Sequence, residues 1–422
     1  MGNKQMPDIR FAGFTDAWEQ RKLDSISDRV KSYSLSRDVE TIEDTGYKYI
    51  HYGDIHTKVA VVIDEFSNLP NIKARNYDLL EKGDLVVADA SEDYQGIATP
   101  AVITVDTPYK LVAGLHTIAL RPKQVDSLFL YYMFNSPTFR RYGYKTGTGM
   151  KVFGISVSNL LKFEGMFPLL EEQTKIAIIL KQLDDTIALH QRKLELLKDT
   201  KKSLLQKMFP KDGVNVPEIR FPGFTDAWEQ RRFEKVFDIH TDFVSNGSFQ
   251  ALKDNVKLYH TENYAYMIRL QDASNNWKGP WLYTDKKGFK FLDKSTVYEN
   301  DILMSDRGTI GKFFLVPKLG KPMTLSSNAV LLRSSKNDNY FIYYLLNSKE
   351  VGNQIKMRTT PGVQPMISKT EFKQITAKFP RLNEQIKIGS FFKQLDDTIT
   401  LHQRELEALK ETKKAFLQKM FV

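Results

Sequence analysis

Residues 167–209 read FPLLEEQTKIAIILKQLDDTIALHQRKLELLKDTKKSLLQKMF, and residues 379–421 read FPRLNEQIKIGSFFKQLDDTITLHQRELEALKETKKAFLQKMF. Laid over each other at an offset of 212, they agree at 30 of 43 positions. A repeat of that fidelity fixes the architecture before any shorter motif is considered. In the first copy Ile176, Leu180, Leu183, Ile187, His190, Leu194, Leu197, Lys201, Leu204 and Met208 recur in alternating steps of four and three. The second copy keeps the register with Ile388, Phe392, Leu395, Ile399, His402, Leu406, Leu409, Lys413, Phe416 and Met420. A mean step of about 3.5 residues is the seam of a coiled coil rather than the broad face of a globular helix. Each copy is predicted to be one helix of about 38 residues, on the order of 57 Å long. Glu171 and Glu172 suit its positive end and Lys207 the other, and Pro210 with Gly213 stops it. The matching registers point to the other copy as cover for the seam. The alternative is that each rod lies on its own globular domain.

A second element is also repeated. PDIRFAGFTDAWEQRKL at 7–23 returns as PEIRFPGFTDAWEQRRF at 217–233, identical at 13 of 17 positions. Trp18 and Trp228 hold the same place in each, and are expected to anchor the start of each unit on its core. The two middles, about 24–166 and 234–378, differ sharply yet share a skeleton. FLYYMFNS at 129–136 matches FIYYLLNS at 341–348, and KYIHYGDI at 48–55 resembles AYMIRLQDA at 265–273. Short apolar runs such as Leu85–Val87, Ala101–Ile103 and Ala329–Leu332, punctuated by Gly, Asp, Asn and Pro, predict strands, with a helix from near Leu128 or Phe341. The fold class expected is α+β. Two mixed α/β heads, residues 1–166 and 215–378, are joined and separated by two long helices at 167–214 and 379–422, with a pseudo-twofold internal repeat.

At 422 residues the chain can hold more than one domain with a real core. It has no cysteine, which excludes disulfides and thiolate metal sites and fits a reducing cytoplasm. No run approaches the roughly 20 apolar residues of a membrane span. With 61 Lys and Arg against 51 Asp and Glu, the net charge of +10 suits a polyanionic partner.

These features together resemble the specificity (S) subunit of Type I restriction-modification systems. The likeness covers essentially the whole chain. It rests on the duplicated FxGFTDAWEQ opening, the pair of FPxLxEQxKI…KQLDDTI…HQRxLExLKxTKKxxLQKMF helices, and ILMSDRGTIGKFFLV at 302–316. Head 1 departs from it, with ADASEDYQGIA at 88–98 where head 2 has SDRGTIG. The resemblance implies that each head is a target recognition domain reading one half of a split double-stranded DNA sequence. It also implies that two antiparallel helices set the gap and help seat two methyltransferase (M) subunits. Restriction/motor (R) subunits join in the full complex.

Searching for chemistry returns little. Gly308-Thr309-Ile310-Gly311-Lys312 is too short for a P-loop and runs on into Phe. There is no NPPY-like or DPPY-like tetrapeptide and no HExxH, and the seven histidines form no spaced cluster with acids. Asp184-Asp185 and Asp396-Asp397 sit on adjacent helix positions about 100° apart, which suits a solvated face better than a metal pair. No catalytic residue, metal or cofactor is expected, so the chain is read as a non-catalytic subunit. The runner-up is an interaction scaffold whose coiled coil binds proteins and whose heads read no sequence; a free-standing nuclease or methyltransferase comes third.

The DNA-contact candidates lie in loops that mix base, amide, aromatic and glycine. In head 1 they are Ser91, Asp93, Tyr94, Gln95, Arg140, Arg141, Tyr144, Lys145, Thr146, Thr148 and Lys151. In head 2 they are Asn275, Asn276, Trp277, Lys278, Ser305, Arg307, Thr309, Lys312, Lys356, Arg358, Thr359, Thr360 and Gln364. Lys and Arg supply phosphate charges, whereas Arg and Gln also match guanine and adenine edges.

Overall fold

The computed structural model describes residues 6–59, 61–149, 152–211, 213–327 and 329–422. It divides into two compact units, one of residues 1–191 with 404–422 and the other of residues 192–403. Each unit thus holds one head, the first part of one long helix and the last part of the other. The helices run Leu170–Lys207 and Leu382–Lys419, 38 residues each.

In the first unit, a five-stranded sheet has the order Ser27–Val30, Thr117–Pro122, Leu85–Ala88, Pro100–Ile103, Val62–Ile63, antiparallel except for its last pair. A second sheet pairs Lys110–Ala113 in parallel with Tyr47–Ile50 and continues through Asn71–Ile72 to Glu40–Thr41. Glu19–Lys22 zips antiparallel to Glu164–Phe167, closing the start of the head on its end. The helix Ser127–Asn135 begins where Asp126 accepts from the Phe129 amide at 2.8 Å. Its residues 129–134 are all buried, as a helix apolar all round must be. Trp18 is buried edge-on to Phe129 at 6.0 Å, in a core that also takes Ile176 and Leu180 from one long helix and Met420 and Phe421 from the other.

The second unit repeats this plan. One sheet runs Ile239–Asp242, Val330–Arg333, Ile302–Met304, Phe313–Leu315, and the other runs Tyr283–Thr284, Ala265–Ile268, Met323–Leu325, Thr296–Val297. Ala265–Ile268 pairs in parallel with Met323–Leu325, as Tyr47–Ile50 does with Lys110–Ala113. Glu229–Arg232 zips to Thr376–Phe379. Its core gathers Trp228, Phe341, Ile388 and Phe392 with Met208 and Phe209.

Inside each unit the long-helix segments run antiparallel. In the first unit the Ile9 amide donates to the Lys419 carbonyl at 3.0 Å and Arg10 holds Glu172, so residue 419 lies level with 172. Lys413 meets Asp184, and His190 lies 3.5 Å from Glu405. In the second unit Lys201 meets Asp396, the same pair shifted by 212. Every seam position is buried or half-buried, whereas Leu189, Leu196 and Leu401, off the seam, are exposed. The cover is shared: near its start each helix packs on its own head as well as on the other helix.

The repeated aspartate pair corrects its solvated-face reading by half. Asp185 and Asp397 are exposed and pair along the helix with Lys181 and Lys393. Asp184 and Asp396 are half-buried, accepting from the Tyr132 hydroxyl at 2.9 Å and the Tyr344 hydroxyl at 2.7 Å. Burial and then the neighbouring carboxylate push both phenol pKa values up, so they remain donors.

One half-buried group titrates against the fold. The His240 ring packs on Phe372 at 5.3 Å, and burial, aided by Lys369 and Lys373 against a smaller opposing pull from Asp242, holds its pKa down to about 4. An unfolded chain protonates histidine near about 6.5. Stability from the neutral ring is therefore full above about 6.5 and lost as pH falls toward about 4. Between pH 7 and 4 the parent should lose on the order of 2–3 kcal/mol more than His240→Leu. Parallel unfolding curves would show that the ring takes its proton without unfolding.

Candidate nucleic-acid interface

Head 1's candidates come from three stretches that the fold brings together. Ala90–Ser91 pairs antiparallel with Phe153–Gly154. The Thr148 amide donates to the Gly154 carbonyl at 2.9 Å and the Gly154 amide returns to Thr148 at 2.8 Å, tying off a short hairpin. Tyr94, fifty residues away in sequence, stacks on Tyr144 at 5.2 Å and meets Phe153 edge-on at 5.2 Å. Asp93 caps the turn Tyr94–Gly96, accepting from the Gly96 amide at 2.5 Å.

Arg140 differs from its sequence reading as a phosphate ligand. Its guanidinium donates to the carbonyls of Gln95, Ile97 and Ala98, and burial pushes its pKa down. It is an internal brace for the 95–98 loop. The buried Ser91 hydroxyl accepts from the Asp93 amide at 3.3 Å, and Thr146 donates to the Tyr142 carbonyl at 2.9 Å. Asp93, Gln95, Arg141, Lys145 and Thr148 are the exposed members, with Tyr94 42% exposed beside them. Lys151 lies outside the described residues.

Head 2 builds its patch from two loops. The turn 305–312 joins strands Ile302–Met304 and Phe313–Leu315, closed by the Ser305 amide on the Lys312 carbonyl at 3.0 Å. The segment 359–367 folds over it: Thr360 and Met366 exchange backbone bonds, Gly308 donates to the Pro365 carbonyl at 3.0 Å and Ile367 to that of Asp306 at 2.9 Å. Arg307, Thr309, Lys312, Lys356, Thr360 and Gln364 are exposed on this assembly. Ser305 is buried and donates to the Arg307 carbonyl at 3.2 Å, Thr359 donates to the Ile355 carbonyl at 2.7 Å, and Arg358 leans on Glu371 at 3.3 Å.

The remaining four candidates go elsewhere. Asn275 donates to the Gly279 carbonyl at 2.6 Å, Trp277 packs on the core beside Phe314, and Asn276 with Trp277 lines a separate hollow bounded by Tyr340, Tyr344 and Asp396. Lys278 is exposed on the same loop. Sequence reasoning missed Phe153, which Tyr94 meets, and Met366, which pairs with Thr360. The one signal for them was the shared offset of Thr148 and Thr360.

Comparison with known proteins places this arrangement. The family described as "Type I restriction modification DNA specificity domain" matches twice, at residues 15–199 and 225–411. The chain belongs to this family, and its function is recognition of a DNA target. A Methanocaldococcus jannaschii protein named for the MjaX type I restriction enzyme specificity subunit is 23% identical over 95% of this chain and 92% of that one. The MjaVIII specificity subunit of the same organism is 24% identical over 70% of this chain and 69% of its own length. The crystal structure of the type I restriction-modification S subunit from M. genitalium shares the fold at a TM-score of 0.58, with 14% identity over 99% of both chains. Among the described residues no helix is long and apolar enough to cross a membrane.

Proposed function

We propose that each head reads one half of a bipartite duplex target, with no chemistry of its own. The observation that carries this is the convergence in each head of exposed basic, amide and hydroxyl side chains on loops tied down by backbone bonds. Braced loops lose little entropy on binding, so a matched groove is met by preset donors. In head 1 the reading surface is Tyr94, Gln95, Arg141, Lys145 and Thr148. In head 2 it is Arg307, Thr309, Lys312, Lys356, Thr360 and Gln364. Partners in this reading are two methyltransferase subunits, received along the long helices that also set the interval between half-sites, and restriction/motor subunits in the full assembly. A cytoplasmic setting fits the cysteine-free chain.

Arg307 gives the sharpest test, standing exposed at the tip of its turn with Asp306 3.6 Å away. Arg307→Ala should cost about 1–3 kcal/mol at one base position only, whereas Lys356→Ala should weaken all duplexes alike and lower the salt slope by about one. Binding measured over a salt series and a panel of single-base variants separates the two. Affinity indifferent to salt would instead favour a protein scaffold.

A further inference from the structure

The helix Lys349–Arg358 of head 2 runs between two cationic places. Its C-terminal end leads into the reading hairpin, where Thr360 pairs with Met366 and Met366 with Arg307. Its N-terminal end, capped by Ser348, opens on a hollow against the first long helix. Among the described residues, the lysines 198, 201, 202 and 349 line that hollow and no carboxylate does. Lys201 is already engaged, pairing with Asp396 and lying over the Tyr344 ring. Lys198, Lys202 and Lys349 are exposed, and among the described residues they make no ion pair.

Folding gives no reason for this cluster. Lys349 stands at the first position of its helix, where the positive end of the dipole repels a cation. Lys198 and Lys202 are four apart on the long helix, a like-charge spacing that destabilises it. Between the hollow and the hairpin, Lys349, Asn353 and Lys356 fall at i, i+4 and i+7 on one exposed face. Glu350, the acid of this helix, is half-buried and lies about 100° round from Lys349. The helix is 10 residues long. At about 1.5 Å a residue it spans roughly 15 Å, the length of about four base pairs.

We propose that duplex next to the head 2 half-site lies along this face, with Lys198, Lys202 and Lys349 holding its backbone phosphates. The first long helix then forms part of the DNA-binding surface. The charges are complementary, and the strip is continuous with the reading loops through Lys356. Phosphate contacts carry no sequence information but fix register, so the strip sets where those loops meet the base edges. This rests on the DNA-reading assignment above and adds to it a sequence-independent hold outside the bases read.

The test uses the full chain, with no methyltransferase present, and a duplex that the parent selects from a random-sequence pool. Lys198→Gln, Lys202→Gln and Lys349→Gln are combined, all at exposed positions, with denaturant unfolding as the check that the fold is kept. The slope of log affinity against log salt should fall by about two to three, roughly one for each phosphate released. The selected duplex and a scrambled one should weaken by the same factor, and base preference should be unchanged. Phosphate-ethylation interference should disappear about four base pairs beyond the bases read, on one side of the head 2 half-site only. The matching triple Lys→Arg variant should keep the parent's slope and interference pattern. A Gln variant with the parent's slope and unchanged base preference overturns the strip while leaving sequence reading intact. An unchanged slope with lost capture of the methyltransferase subunit would make the lysines a protein contact and also overturn it. A parent that selects nothing from the pool fails the DNA-reading assignment itself, and the strip with it.

Discussion

Glu172→Ala and Glu384→Ala are each expected to cost about 3–5 kcal/mol of stability. Glu172, in the first turn of the first long helix, is wholly buried, and both its oxygens are taken by Arg10 at 2.6 and 2.8 Å. Glu384 repeats this with Arg220 at 2.7 and 2.8 Å. The arginines are themselves largely buried, and hydrogen bonding to the carboxylate raises the pKa of each. Deleting the carboxylate strands a guanidinium that cannot shed its charge. The penalty is therefore desolvation rather than the small energy of a surface pair. The pairs also tie the repeated opening segment to its helix, so loss should free residues 7–17 or 217–227. The two sites fall in different units, so denaturant unfolding followed by amide exchange should show each variant weakening its own unit first. A change below about 1 kcal/mol in both would mean that water reaches the pairs.

How much of this was legible beforehand depends on the range of the signal. The long helices were readable because a seam repeated over many turns outweighs local noise, and the structure buries or half-buries every position of it. The tryptophan anchors followed from the duplicated opening. Glu172 was read only as a residue suited to a helix dipole, because its partner lies 162 positions away. Asp184 was read as solvated because helical phase separates it from Asp185 without revealing the Tyr132 hydroxyl that faces it. The parallel pair of Tyr47–Ile50 with Lys110–Ala113 joins runs sixty residues apart, and no periodicity announces such pairing. Arg140 illustrates the limit for sites: beside Arg141 in a Tyr- and Gly-rich stretch it looks like any surface cation. Only the fold shows three carbonyls converging on it.

Replacing residues 24–166 with this chain's own residues 234–378 should make both halves of the recognised sequence the half that head 2 reads. The exchange is physically permitted because the two heads dock on the long helices through the same side chains. Phe129 meets Phe421 at 5.2 Å, and Phe341 meets Phe209 at 5.6 Å. Tyr132 donates to Asp184 and Tyr344 to Asp396, and each aspartate also takes a lysine of the other long helix. A transplanted head 2 would therefore find its ring pocket and its acceptor already in place, so the chimera should fold. The reading loops move with it, because the 305–312 turn and the 359–367 hairpin are tied to each other rather than to the helices. Preference for the original half-site should then fall by about a thousandfold or more, the usual gap between specific and non-specific binding. Mapping methylated sites in a host that supplies the methyltransferase partner reads this directly. Persistence of the original half-site would place its readers outside residues 24–166. A change in both halves would show that the heads do not read independently.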